Sequence, residues 1–179
     1  MTIILKLKHW QIFVITYAPI VLINFISFED PFLGAAIIGL TGVWVLLCFS
    51  TWFWAVGHNL FKKSNASQKL ELLMFKVSLF IPAILILFAL IIVGTYFIAP
   101  DKLAYIPINI ILNRLQILYV FSFLYCAHFV AKYLKSVENN RISHFGESIP
   151  VFLLLWIYPI GIFPVQNRIN KIFKSTYIL

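Results

Sequence analysis

Charged side chains are scarce in this sequence, and acidic ones are the scarcest. Charged residues make up 11% of the 179 residues, and six residues are Asp or Glu. A soluble domain carries about a quarter of its residues as charged side chains. Hydrophobic residues instead make up 62% of the chain, which is more apolar surface than the interior of so small a globule can hide. The composition therefore excludes an ordinary soluble domain and predicts a membrane protein.

Sequence patterns of catalysis are missing as well. The chain has no phosphate-binding loop, no nucleophile elbow, no paired carboxylates and no Cys/His metal box, and no acidic residue lies deep within an apolar run. Cys48 and Cys126 lie in apolar runs without metal-ligand spacing, so we interpret them as small buried hydrophobic residues. We therefore expect a protein that is not an enzyme and that binds no cofactor.

Long uncharged runs are what the sequence does contain. A bilayer core about 30 Å thick requires roughly 17 to 25 apolar residues as helix. Lipid offers no partner for backbone N–H and C=O groups, so spanning segments must be helical. Pro19 and Pro82 are expected to kink their helices rather than end them. The single transmembrane domain, 1–179, is predicted to be an all-α bundle of four transmembrane helices at 11–28, 33–56, 77–99 and 115–131.

The last apolar run, 149–166, is interrupted by three prolines and Gly161. Proline removes a backbone donor and clashes with the preceding turn, so a straight helix is not expected. If the run crossed the membrane, five basic residues would lie outside; if it dips in and returns, twelve of the fourteen Lys and Arg lie on one side. Because basic residues mark the cytoplasmic side, we predict a re-entrant hairpin, with both termini in the cytoplasm.

The residues that follow, 167–179, are predicted to form an amphipathic helix on the membrane surface. One arc of its helical wheel carries Ile169 and Ile172, and the other carries Asn170 and the basic residues. The basic residues at the ends of the second and fourth spans lie on the same side, so together they form a face for anionic headgroups or a protein partner. That face consists of Lys62, Lys63, Lys132, Lys135, Arg168, Lys171 and Lys174.

Histidines provide a second candidate site. His58 and His128 each lie four residues before a lysine, on the second and fourth spans, and are predicted to lie at equivalent depth. Imidazoles bind metal or haem and sense pH. Histidine is also at ease at a membrane interface, with its ring among the headgroups. Because no two histidines share a helix face, we expect no metal and keep this pair as an alternative.

Polar residues also gather at the outer end of the fourth span, at Asn113, Arg114 and Gln116. A charged group at the bilayer centre costs about 2.5–3.5 kcal/mol. Arg114 avoids that cost by extending toward the outer headgroups. The alternative is an outward polar vestibule, in which Arg114 pairs with Asp101 or with the acidic residues at 29–30.

Four stretches stand out by their composition: LKHWQIF (7–13), WFWAVGHNLFKK (52–63), AKYLKSVE (131–138) and LLLWIYPIGIFPVQNRINKIF (153–173). Together they resemble a family of small multi-spanning membrane proteins of Bacteroidota. The chain departs from the family pattern at Asn167, where the pattern has proline, and this loss is expected to ease the start of a helix there. The resemblance implies a Gram-negative inner (cytoplasmic) membrane, and it implies no reaction.

These features favour an accessory, scaffold or anchoring protein that acts through a basic cytoplasmic face. Twelve basic and three acidic side chains give that face a net charge of +9, and each near-surface Lys or Arg adds roughly 1 kcal/mol toward anionic lipid. Nucleic acid is not expected, because the positive charges lie in short clusters between apolar runs.

Two alternatives remain open. One is an oligomeric channel or pore-type effector, because re-entrant segments can line pores. It would require association with further copies, since four helices alone pack without a pore. The other is a haem- or metal-binding subunit of a membrane enzyme, for which an absorption spectrum and metal analysis are the tests.

Overall fold

A computed structural model describes residues 2–29, 31–64, 68–98 and 108–174. All regular structure within these ranges is α-helical. The helices, in chain order, are α1 Thr2–Lys6, α2 His9–Ile23, α3 Pro31–Lys63, α4 Lys69–Ile98, α5 Ile108–Asn139, α6 Phe145–Trp156 and α7 Tyr158–Lys174.

Three of these helices are long and apolar enough to cross a membrane. The candidate spans are Ile37–Lys63 in α3, Lys69–Phe88 in α4 and Arg114–Asn139 in α5. A helix rises about 1.5 Å per residue, so even the shortest, with 20 residues, matches a bilayer core of about 30 Å. The prediction of an all-helical protein with membrane-spanning helices is confirmed, and three of the four predicted spans overlap these helices. The last residue of the predicted span 77–99 lies outside the described residues.

The first predicted span, 11–28, corresponds to α2, which is shorter than expected. The helix ends at Ile23, and the side-chain amide of Asn24 donates to the carbonyl of Ile20 at 2.7 Å. Fifteen residues of helix reach about 22 Å. Pro19 and Pro82 lie inside α2 and α4 without ending them, as predicted.

The packed core lies toward one end of the bundle. It joins the C-terminal half of α3, the N-terminal half of α4 and the C-terminal half of α5, and its largest buried side chains include Trp52, Phe75 and Phe129. The rings of Phe75 and Phe129 stack with their centroids 4.1 Å apart. Gly57 of α3 faces this stack, and a Cβ there would overlap the Phe75 ring. The missing side chain therefore lets α3 and α4 approach closely.

Large apolar side chains are exposed toward the other end of the same helices. Leu40, Ile84 and Phe121 are among them, each more than half exposed. Such a surface would be a liability in water, but hydrocarbon is its natural solvent, and it fits helices that face lipid.

The apolar run 149–166 forms parts of two helices instead of one. The break is at Ile157, whose backbone (φ −89°, ψ 55°) is not helical. The turn is tight, because a Cβ at Gly161 would overlap the carbonyl oxygen of Leu154. Pro159 follows the break in the first turn of α7, where its missing N–H has no helical partner to lose. Pro150 and Pro164 remain inside their helices.

The predicted boundary between this run and the tail helix, at 166–167, lies inside α7. Ile169 is fully buried, as the helical wheel predicts, but Asn170 is only 8% exposed and does not belong to a solvated arc. The reason is that α1 packs against α7 on that side, and the Asn170 amide donates to the carbonyl of Leu7 at 3.2 Å. Residues 175–179 of the predicted tail lie outside the described residues.

Candidate functional site

The predicted basic face lies where α3 and α5 end, α4 begins and α7 packs against the bundle. We call this region the basic end; it comprises the predicted basic residues, the further basic residues Lys69, Lys76 and Arg141, and three acidic partners, Glu71, Glu138 and Glu147. Each of these carboxylates is engaged by a basic side chain of the same chain.

Glu71 joins α4 to α5. The Lys132 ammonium donates to its two oxygens at 2.7 and 2.8 Å, and the Tyr133 hydroxyl donates to one of them at 2.9 Å. The side chains of Lys132 and Glu71 are only 16% and 32% exposed. A charge-assisted pair with so little water contact is stronger than a surface pair, so we interpret it as a clamp between two spans.

Glu138 joins α5 to α7. The guanidinium of Arg168 donates to its two oxygens at 2.6 and 2.5 Å, which is the bidentate geometry that arginine favours. The ammonium of Lys135 lies 3.1 Å from the same carboxylate. Three members of the predicted binding face, Lys132, Lys135 and Arg168, are therefore occupied in internal pairs.

Glu147 closes the turn between α5 and α6. The Arg141 guanidinium donates to it at 2.5 Å and the amide of Asn139 at 3.1 Å. Between them, Asn140 adopts a left-handed conformation (φ 50°) that often ends a helix. Desolvation raises the pKa of Glu147, but the hydrogen bond and charge of Arg141 outweigh it and hold the pKa below its ordinary value.

Exposed lysines that no described carboxylate pairs with contribute to the surface charge of this end. Lys62, Lys69 and Lys171 are exposed. Lys63 donates to the carbonyl of Ile172 at 2.9 Å, which ties α3 to the last turns of α7. The side chain of Lys174 lies outside the described part of the chain. Since internal pairs neutralise all three carboxylates, the remaining surface charge here is positive.

A buried amide network underlies the charged residues, and the sequence pattern did not identify it. Gln166 is fully buried; it accepts from the indole of Trp52 and donates to the carbonyl of Leu7 and to the side chain of Asn170. The sequence did offer one signal of this network, which is a polar glutamine at the end of a largely apolar run. A buried polar group requires hydrogen-bond partners.

The departure from the family pattern, Asn167, lies in the middle of α7, so it does not mark the start of a helix. Its side-chain oxygen lies 3.0 Å from Nδ1 of His9 at the beginning of α2. The asparagine therefore contributes a contact between the N-terminal region and α7.

His58 and His128 lie against different neighbours. The His58 ring stacks on Trp54, with centroids 5.8 Å apart, while the His128 ring packs 5.1 Å from Phe145 of α6. Nδ1 of each imidazole is buried without a hydrogen-bond partner among the described residues. Within that part of the chain, no three His, Cys, Asp or Glu side chains group as metal ligands.

At the opposite end, Arg114 and Gln116 are exposed, and Gln116 lines a shallow groove with Ile117 and Phe121. No described acidic residue pairs with Arg114. Asp101 and position 30 lie outside the described residues, as does the side chain of Asn113. Both cysteines are free thiols, with Cys126 buried and Cys48 partly buried.

No protein-family model, curated protein or solved structure matches the chain. The contacts nevertheless bring together the four stretches that carry the family resemblance. Leu7, Trp52 and Gln166 come from three of them and share the amide network, and Glu138 from the fourth pairs with Arg168. The functional argument therefore rests on the geometry of the basic end.

Proposed function

We propose that this protein is a non-enzymatic accessory or anchoring protein of a bacterial inner membrane. Its basic end holds anionic lipid headgroups, or a partner that carries similar charge, at the cytoplasmic surface. The observation that carries the proposal is the internal pairing of Glu71, Glu138 and Glu147. This pairing leaves Lys62, Lys69 and Lys171 to determine the surface charge.

We further propose four membrane crossings and a re-entrant hairpin formed by α6 and α7. With 12 residues, α6 extends about 18 Å, too short to cross. The Arg168–Glu138 pair supports the return, because it places α7 beside the end of α5 from which α6 departs. The contact between His9 and Asn167 supports placing the N-terminal region on that same side. In this topology α2 is the fourth crossing, extended by residues 24–26, whose backbone N–H groups bond to carbonyls of the last turn of α2.

Reconstitution with defined lipids tests the role of the basic end. The purified chain is titrated with phosphatidylglycerol and with phosphatidylcholine, and bound lipid is counted by native mass spectrometry. We expect preferential retention of phosphatidylglycerol that weakens as salt rises. A triple variant, Lys62→Gln with Lys69→Gln and Lys171→Gln, should weaken the preference, at roughly 1 kcal/mol per removed charge.

The matched control is Arg114→Gln, which removes a charge from the opposite end. It should leave the preference for phosphatidylglycerol unchanged. Equal retention of the two lipids by the wild-type chain would contradict the proposal.

The alternative of an oligomeric channel has less support from the geometry. The cavity between α3, α4 and α5 near Ser78, Ser122 and Cys126 has a volume of about 20 Å³, which is room for about one water molecule. This cavity is too small to conduct ions, so we place the conducting path of this alternative between copies of the chain. The mass in detergent and ion flux across liposomes distinguish the two functions.

A further inference from the structure

A groove between α3 and α4 is lined in part by Trp54, and the ammonium of Lys76, which no described carboxylate neutralises, lies over the Trp54 ring. The groove has a volume of about 350 Å³, and its lining includes Leu47, Thr51, Trp54, Phe80 and Ala83. We propose that it holds one acyl chain of an anionic phospholipid, with the lipid phosphate at Lys76. The inference rests on the proposed function and narrows it to one site for one class of ligand.

The lining of the groove suits a hydrocarbon chain. Leu47 lies seven positions before Trp54 in α3, about 10 Å along the helix axis, so the groove runs from the basic end toward the middle of the span. The hydroxyl of Thr51 already donates to the carbonyl of Leu47 at 2.6 Å and needs no ligand. Because both helices are candidate spans, the solvent around this groove is lipid.

The charge at the end of the groove selects the headgroup. The Lys76 ammonium lies 5.7 Å from the centroid of the Trp54 ring, a cation–π contact. No described acidic residue pairs with it, because Glu71, Glu138 and Glu147 are taken by other cations. A cation–π contact leaves the ammonium hydrogens available to a phosphate, and tryptophan is typical of the headgroup level.

The other cations of the basic end do not combine these features. Lys132, Lys135, Arg141 and Arg168 are paired with carboxylates. Lys76 is not itself a lining residue, but its ammonium lies over the ring of Trp54, which lines the groove. Charge and apolar groove therefore meet at Lys76, which is half-buried.

Two matched pairs of variants test the site by native mass spectrometry of the full chain titrated with phosphatidylglycerol. Lys76→Gln should weaken binding of the tightest lipid about fivefold, the equivalent of one near-surface charge. Lys69→Gln, on the same helix but away from the groove, removes one charge of the broader basic surface and should weaken binding of that lipid by clearly less than Lys76→Gln does. Ala83→Phe fills the groove and should expel the lipid, whereas Ile84→Phe, one residue further and outside the lining, should not.

The outcomes separate the site from the broader function. If Lys76→Gln and Lys69→Gln weaken binding equally, the charge acts diffusely; the site is overturned and the proposed function stands. If Ala83→Phe instead converts an oligomer to a monomer, the groove belongs to a second copy of the chain, which also overturns the site. A wild-type chain without preference for phosphatidylglycerol over phosphatidylcholine would overturn both.

Discussion

Trp52 donates its indole N–H to the side-chain oxygen of Gln166 at 2.9 Å, across the contact between α3 and α7. The nitrogen of the same buried amide donates to the carbonyl of Leu7 at 3.2 Å. One side chain of α7 therefore joins this helix to a candidate span, α3, and to the segment between α1 and α2. The residues around it are far apart in sequence, so this amide fixes the tertiary arrangement of the basic end.

Replacing the buried amide should destabilise the fold. Gln166→Met keeps the approximate size of the side chain but removes the bonds that Gln166 makes with the Trp52 N–H and with the side-chain oxygen of Asn170. A buried polar group without a hydrogen bond costs about 1–3 kcal/mol, so we expect a lower thermal midpoint in detergent. Gln116→Met, at an exposed position, is the control and should leave the midpoint unchanged; equal effects would show that the network adds no stability.

The pair between Glu71 and Lys132 should couple α4 to α5. A double-mutant cycle with Glu71→Gln and Lys132→Gln should give a coupling free energy of about 1–3 kcal/mol, because the pair is charge-assisted and largely shielded from water. The measurement is the thermal stability of the four proteins. A coupling near zero would mean that the pair behaves like an exposed salt bridge.

The helices of this protein were predictable from the sequence because hydrophobic length is a local property. Uncharged runs at 33–56, 77–99 and 115–131 mark α3, α4 and α5, and lipid forces such runs to be helical. The ends were less predictable: α3 continues to Lys63, since lysine is a good helix former and its long side chain can extend to the surface. The first run ends early because Asn24 bonds back to the helix.

The contacts of the candidate site were not predictable in the same way. A helical wheel places Asn170 among polar neighbours, but it does not reveal that α1 covers that side of α7. Glu71 and Lys132 are 61 positions apart, and the partner of Gln166 is a backbone carbonyl 159 positions away. Contacts between residues so far apart produce no periodic pattern in the sequence. The carboxylate partners of the basic side chains could therefore be identified only from the fold.

The turn between α5 and α6 should depend on pH through Glu147. Its pKa lies below the ordinary value of 4.5, because Arg141 outweighs the effect of desolvation. The ion pair therefore contributes stability above pH 4.5, and this contribution is lost as the pH falls through the lower pKa of the folded state. Amide hydrogen exchange at 139–147, corrected for intrinsic rates, should lose protection in that range. Glu147→Gln should abolish the pH dependence; an unchanged profile in that variant would assign the effect to another group.

The hairpin should not tolerate a side chain at Gly161. Gly161→Ala introduces a Cβ that overlaps the Leu154 carbonyl, so α6 and α7 must separate, at a cost of about 1–3 kcal/mol typical of overpacking. Gly146→Ala is the matched control, because a Cβ there meets no neighbouring atom within 4 Å, and alanine favours the helix. We expect a lower thermal midpoint and faster proteolysis near Ile157 for the first variant alone. If both variants have the thermal midpoint of the wild type, α6 and α7 accommodate a side chain at Gly161 despite their close approach there.

The basic end forms one surface only if α7 lies on the same side of the membrane as the ends of α3 and α5. In a background of Cys48→Ala and Cys126→Ala, single cysteines at Lys62→Cys, Lys171→Cys and Gln116→Cys can be labelled with a membrane-impermeant maleimide. All three positions are exposed. Because Arg168 pairs with Glu138 at the end of α5, Lys62→Cys and Lys171→Cys should react in inverted vesicles, and Gln116→Cys in intact spheroplasts. If Lys171→Cys reacts together with Gln116→Cys, the hairpin crosses the membrane. The positive charges would then be divided between the two surfaces, and a cytoplasmic anchor built from α3, α5 and α7 would be impossible.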